Sequence, residues 1–170
     1  MKRVLMMVLV GLLSSAVLCG SAFAQTEKQE NSAAQDILIK SEVETAVSLL
    51  QAIYAKHRQG EMTLEKAKAL GADLLRNLRY GTDGYFWADT IEGVNVVLYG
   101  RKDVEGRNRL EDKDTKGAYY VKDFLAKGKA GGGYVDYWFP KKGQTITLPK
   151  RSYTLLFEPF GWVIGSGYYR

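Results

Sequence analysis

The sequence holds one cysteine, one histidine and only three prolines in 170 residues, and no dense run of either charge. Each shortage excludes a class of chemistry. Cys19 lies inside an apolar N-terminal stretch, so a chain that loses this stretch keeps no thiol for disulfides, thiol catalysis or cysteine-ligated metal and haem. His57 stands beside Arg58 at the end of a helical pattern, where interaction with the helix C-terminus is the ordinary role. One histidine supplies neither a metal cluster nor a catalytic pair. Gly165-Ser166-Gly167 lacks the five-residue context of a serine nucleophile. Asp112 and Asp114 alone are not a cation site. The residues therefore favour no enzymatic reading and call for no cofactor. The net charge of +5 is modest and dispersed, which argues against nucleic acid as a partner, since that needs a concentrated cationic surface.

What is present begins with a tripartite N-terminus: Met1-Lys2-Arg3, an apolar run over 4–19, and Ala22-Phe23-Ala24 before Gln25. Positive start, short apolar centre and A-x-A exit mark a secretory signal peptide over 1–24, cleaved after Ala24. The other reading is an uncleaved anchor. Cleavage removes Lys2 and Arg3, taking the charge from +5 to +3, and leaves no stretch of membrane length. The expected location is the periplasm or the exterior.

The remainder suits one domain with a sizeable core, at 46% hydrophobic residues overall. Residues 25–32 are polar and read as a flexible tether to a domain over 33–170. Ile39, Val43, Ala46, Leu50 and Ile53 recur at helical spacing and predict a long helix over 33–57. Thr63, with Glu65 in the first turn, predicts a capped second helix to about Leu78. Then the pattern changes. Asp83-Gly84-Tyr85-Phe86-Trp87-Ala88-Asp89 and Gly93-Val94-Asn95-Val96-Val97-Leu98-Tyr99 read as two strands joined by a tight turn. A charged loop follows over 100–117, long enough to be functional or to cover something. A short helix is expected over 119–127, with three further strands at 134–139, 150–157 and 162–169. Two helices followed by a sheet is an α+β order.

Gly84-Tyr85-Phe86-Trp87-Ala88-Asp89, Gly93 to Leu98, Glu105-Gly106-Arg107-Asn108, Gly133 to Lys141, Pro149-Lys150-Arg151-Ser152-Tyr153 and Gly161 to Tyr168 resemble, in that order, the single Cache domain, the extracytoplasmic sensor module of bacterial chemoreceptors and histidine kinases. The resemblance covers about 35–170. It implies a long N-terminal helix packed on a PAS-like antiparallel sheet of five to six strands, in one domain. It also implies a pocket between the sheet and its loops for a small organic molecule, often a short carboxylate. Many relatives end the second strand in His-Pro, where this chain has Tyr99-Gly100. A receptor of the family continues past the sheet into a membrane helix and a signalling module. This sequence ends at Arg170, so the resemblance suggests a stand-alone sensor serving a separate membrane receptor, kinase or transporter.

A small anion needs cationic or N–H donors and an apolar wall. The candidates are Tyr85, Trp87, Asn95, Tyr99, Tyr137, Phe139, Lys150, Arg151 and Tyr153. Alternation puts Tyr85 with Trp87, Tyr137 with Phe139, and Arg151 with Tyr153, leaving Lys150 on the other face. Arg151 is the favoured carboxylate holder, because a guanidinium grips a carboxylate with two hydrogen bonds; the alternative is a surface charge at a sheet edge. Lys150 then faces the pocket or solvent, Asn95 the pocket or neighbouring backbone, and the aromatics a pocket or plain core. The leading expectation is an exported sensory protein binding a short organic acid, as a monomer or as a homodimer through the long helix. The alternative is a structural or protein-interaction module that keeps the fold without the ligand.

Overall fold

The computed structural model describes residues 5–99 and 101–170, with side chains from residue 26 onward. The segment read as a signal peptide thus lies outside the residues whose side chains are described. Helix α1 spans Leu5–Arg58 and runs through 25–32, where composition alone suggested a tether. Residues through Ile37 form one unit, and Leu38–Arg170 form the compact unit that carries the sheet. Among the described residues, no helix is long and apolar enough to cross a membrane.

Within the compact unit α1 presents Ile39, Val43, Ala46, Leu50 and Ile53 as a buried stripe. The three- and four-residue spacing brings them onto one face. Lys56, His57 and Arg58 close the helix, favoured there by the partial negative charge of its last carbonyls. Gly60, at φ 79°, turns the chain. Thr63 caps α2 (Leu64–Asn77) by accepting a hydrogen bond from the Lys66 amide, and α2 buries Ala67, Gly71 and Leu75.

Six antiparallel strands follow: β1 (Arg79–Tyr80), β2 (Gly84–Thr90), β3 (Asn95–Leu98), β4 (Gly133–Pro140), β5 (Thr147–Phe157) and β6 (Trp162–Tyr169). Their order is β1-β2-β6-β5-β4, and β3 also pairs with β2. Five of these strands match the sequence reading; β1, two residues long, has no sequence signal. Helix α3 (Tyr120–Lys129) lies between β3 and β4 in the chain.

Both faces of the sheet are covered. On one face α1 and α2 enclose Phe86, Ala88, Tyr153, Phe157, Trp162 and Ile164. On the other, α3 and the preceding loop enclose Tyr85, Trp87, Val135, Tyr137 and Val163. Helix α3 approaches so closely that a Cβ on Gly128 would collide with the Val163 methyls. Successive residues of β2 thus serve opposite cores, as a strand's two-residue period requires. The result is an α+β domain, a long helix on a PAS-like antiparallel sheet, and its second, aromatic core is where polar groups are buried.

Candidate functional site

The charged loop after β3 is not a solvated excursion. A short 3-10 turn over Lys102–Val104 buries Val104, and a bridge between Val94 and Asn108 ties the loop to the start of β3. Arg109 is thereby carried inward, only 3% exposed. It lies 3.4 Å from Asp89 Oδ1 and 3.2 Å from Asp112 Oδ2, and donates to the Tyr120 hydroxyl at 3.0 Å. Burial works against its charge, but Asp89, Tyr120 and Asp112 outweigh that cost and raise its pKa. Asp89 shifts upward instead, because burial outweighs Arg109 and Asn95. Asp114, two residues beyond Asp112, accepts from the Lys116, Ala118 and Trp138 amides. It is therefore a loop-forming residue.

Above the sheet, Tyr85, Trp87, Leu98, Arg109, Tyr120, Phe124, Tyr137, Phe139 and Lys150 surround a cavity of about 10 Å³, room for about one water molecule. Trp87 stacks on Phe124 with ring centres 4.3 Å apart. Its buried indole N–H has no hydrogen-bond partner among the described residues. Tyr120 stacks on Tyr137 at 5.2 Å, and the Tyr137 hydroxyl reaches Ser152 Oγ at 3.0 Å.

Lys150 is the unusual member. It is 2% exposed, and its ammonium donates to the Tyr85 hydroxyl at 2.6 Å. The rings of Tyr85, Tyr169, Phe139 and Tyr137 lie 4.3, 4.9, 5.5 and 6.0 Å from Nζ. Among the described residues no carboxylate is in ion-pair contact with it. Burial brings its pKa down to about 7, against a smaller upward pull from Asp83. Burial likewise pushes the hydroxyls of Tyr85 and Tyr137 well up. This is a cation held by ring faces and one hydroxyl, where isolated burial is costly.

Beyond Tyr85 lies a larger groove of about 380 Å³, lined by Arg79, Thr82, Asp83, Tyr85, Tyr99, Lys141, Lys142, Gln144 and Tyr169. Tyr85 is a wall of both spaces, and its ring lies 5.3 Å from that of Tyr99.

Of the nine residues singled out in the sequence, Tyr85, Trp87, Tyr137, Phe139 and Lys150 gather at the inner cavity, and Tyr99 lies in the groove. Three do not. Asn95 is buried outside the cavity lining, donating to Asp89 Oδ1 at 2.8 Å and to the Ala88 and Val97 carbonyls. Arg151 lies on the opposite face of β5, 2.7 Å from Asp136 and stacked over Tyr134. Tyr153, on that same face, packs in the helix-side core against Tyr134. The expected order on β5 is thus reversed: Lys150 faces the cavity and Arg151 turns away. Leu98, Arg109, Tyr120 and Phe124 are the cavity residues the sequence reading did not single out. Only the spacing of Arg109 and Asp112, three apart, hinted at an internal pair.

Residues 32–170 match the family described as Single Cache domain 2. The sensor histidine kinase MctS of Rhizobium johnstonii is 33% identical over 124 residues, covering 73% of this chain and 26% of its own. A structure described as the periplasmic sensor domain of a chemotaxis protein superposes with TM-score 0.77 at 32% identity, over 81% of this chain and 96% of that one. Another, described as the structural basis for carboxylic acid recognition by a Cache chemosensory domain, gives TM-score 0.79 at 30% identity, over 83% and 97%. The chain spans less than a third of the length of the curated relatives it matches.

Proposed function

Since the chain belongs to the Single Cache domain 2 family, a family of sensory ligand-binding modules, we propose that it is an extracytoplasmic sensor, without enzymatic activity, that binds a short carboxylate at Lys150. The observation that carries this reading is the buried ammonium of Lys150, with the Tyr85 hydroxyl as its hydrogen-bond partner and, among the described residues, no carboxylate in ion-pair contact. A carboxylate entering the cavity supplies the missing counter-charge. The Trp87 indole N–H, buried without a partner among the described residues, is a second donor for the same ligand, and Phe124, Phe139 and Leu98 offer an apolar wall for a short tail. The carboxylic acid recognised by the related Cache domain supports the same class.

At about 10 Å³ the cavity is smaller than any carboxylate. Binding therefore requires the rings to part, and occupancy becomes a change in the packing of the sheet's aromatic face. That is how a sensor converts affinity into a population shift. We assign the output to a membrane partner of the receptor, kinase or transporter type, in keeping with the relatives' context.

The tightness of the cavity favours the second reading, a module that keeps the fold and meets a protein instead. Lys150 weighs against it, because a packed structural core is served better by an apolar side chain than by a buried ammonium without a counter-ion. The test is a thermal-shift series of the protein with formate, acetate, propionate and butyrate. An acid at one hundred times its dissociation constant adds about 2.7 kcal/mol. The reading stands if one acid raises the melting temperature and Lys150→Met, still folded, abolishes the rise. It falls if no acid acts or if the variant responds like the parent.

A further inference from the structure

The groove outside Tyr85 is built differently from the cavity within. Its charged lining is Arg79, Lys141 and Lys142 against the single carboxylate of Asp83, and Lys141 lies 3.9 Å from that carboxylate. Arg79 and Lys142 are therefore left over as an excess of positive charge. Both gather on one ring: the Arg79 guanidinium carbon sits 3.5 Å from the centre of Tyr99. Lys142 Nζ lies 4.1 Å from the same centre and donates to the Tyr99 hydroxyl at 3.0 Å. Arg79 otherwise donates to the Leu78 carbonyl, and among the described residues neither cation is ion-paired to a carboxylate. Their influence is visible on Tyr99 itself, whose hydroxyl Lys142 and then Arg79 hold below its ordinary pKa.

The groove also adjoins the inner cavity, with one side chain as the wall between them. Tyr85 lines both, and Tyr169, which lines the groove, offers its ring to Lys150. A carboxylate that takes the place of the Tyr85 hydroxyl on Lys150 stands at the wall the two spaces share, so a ligand with a second charged end can extend past Tyr85, toward Tyr99 and the two cations, while a purely apolar tail turns inward. We propose that the groove is a second anion subsite, in which Arg79 and Lys142 receive the distal carboxylate of a dicarboxylic acid whose proximal carboxylate meets Lys150. This rests on the inner cavity being the carboxylate site and extends it to the ligand's second charge.

Calorimetry with propionate and butyrate, and with malonate and succinate, separates the two ideas. The wild type should bind one diacid about tenfold or more tightly than either monoacid, as charge-assisted hydrogen bonds to a second anion require. The double variant Arg79→Gln/Lys142→Gln should erase that preference while leaving the monoacids unchanged. Lys142→Glu alone should erase it too, so the result does not depend on one folded variant. Raising the salt concentration should shrink the preference, because the groove is open to solvent. Monoacids binding as well as diacids would overturn the second subsite and leave the inner one standing. Equal weakening of both series by the double variant would also overturn it, as a general charge effect. No binding in either series overturns both.

Discussion

Lys150 and Tyr85, sixty-five residues apart in the chain, meet at 2.6 Å with the ammonium donating to the phenol oxygen. This pair closes the inner cavity and keeps the lysine from lying wholly unpartnered in an aromatic box. Anything that binds the lysine meets Tyr85 there, either displacing the phenol or using the ammonium's remaining N–H groups.

Stability should rise with alkalinity because of this lysine. Burial lowers its folded pKa to about 7, while the unfolded side chain titrates at about 10.4. Between these values the unfolded state binds more protons, so stability increases with pH across that window. The contribution is complete above the unfolded value and is lost as pH falls toward 7. Urea unfolding of the ligand-free protein over that window, beside Lys150→Met, checks it: the parent's slope should exceed the variant's.

Carboxylate binding should take up a proton. A carboxylate beside Lys150 raises the ammonium's pKa in the complex, so affinity is flat below pH of about 7 and declines by up to about tenfold per unit above it. Calorimetry in two buffers of different ionisation enthalpy reads the uptake directly. Equal heats in both buffers at mildly alkaline pH would contradict it.

Arg151→Ala should leave ligand affinity unchanged. Its guanidinium is on the other face of β5, paired with the half-exposed Asp136, and such a pair contributes little. A loss of binding in this variant, with Lys150→Met still binding, would reverse the assignment of faces.

Arg109→Leu should destabilise the fold by about 3–5 kcal/mol, because it strands the buried Asp89 carboxylate. Adding Asp89→Asn should recover part of that loss. Denaturant unfolding of the two single variants and the double closes the cycle.

Gly165→Ala should disturb the cavity from beneath. A Cβ at this position runs into the six-membered ring of Trp87, and overpacking of this kind costs about 1–3 kcal/mol. The change should appear both in the melting temperature and in tryptophan emission.

The sequence made the element order legible, because the helical stripe of α1, the Thr63 cap and the Gly-bounded strands are local signals. Strand faces were harder. Alternation correctly grouped Tyr85 with Trp87 and Tyr137 with Phe139, yet could not say which side of β5 faces the cavity. With α1 and α2 on one face and α3 on the other, neither side of the strand is plainly wet, and polarity loses its usual meaning. Lys150 and Arg151 then differ only by tertiary context. Arg109 was hidden for a different reason: the loop's length pointed to a covering or functional role, but no local pattern says which of its charges turns inward, and only its long-range bridge to β3 and its partner Asp89 draw Arg109 inside.

One consequence follows from β2 supplying both cores in turn. Tyr85 and Trp87 belong to the cavity side, Phe86 and Ala88 to the helix side, and they share one backbone. If the inner cavity is the ligand site, as proposed, then ligand choice and the seat of α1 are inherited as a single trait. Substitutions along this strand that widen the cavity also retune the packing under the helix, so the two change together.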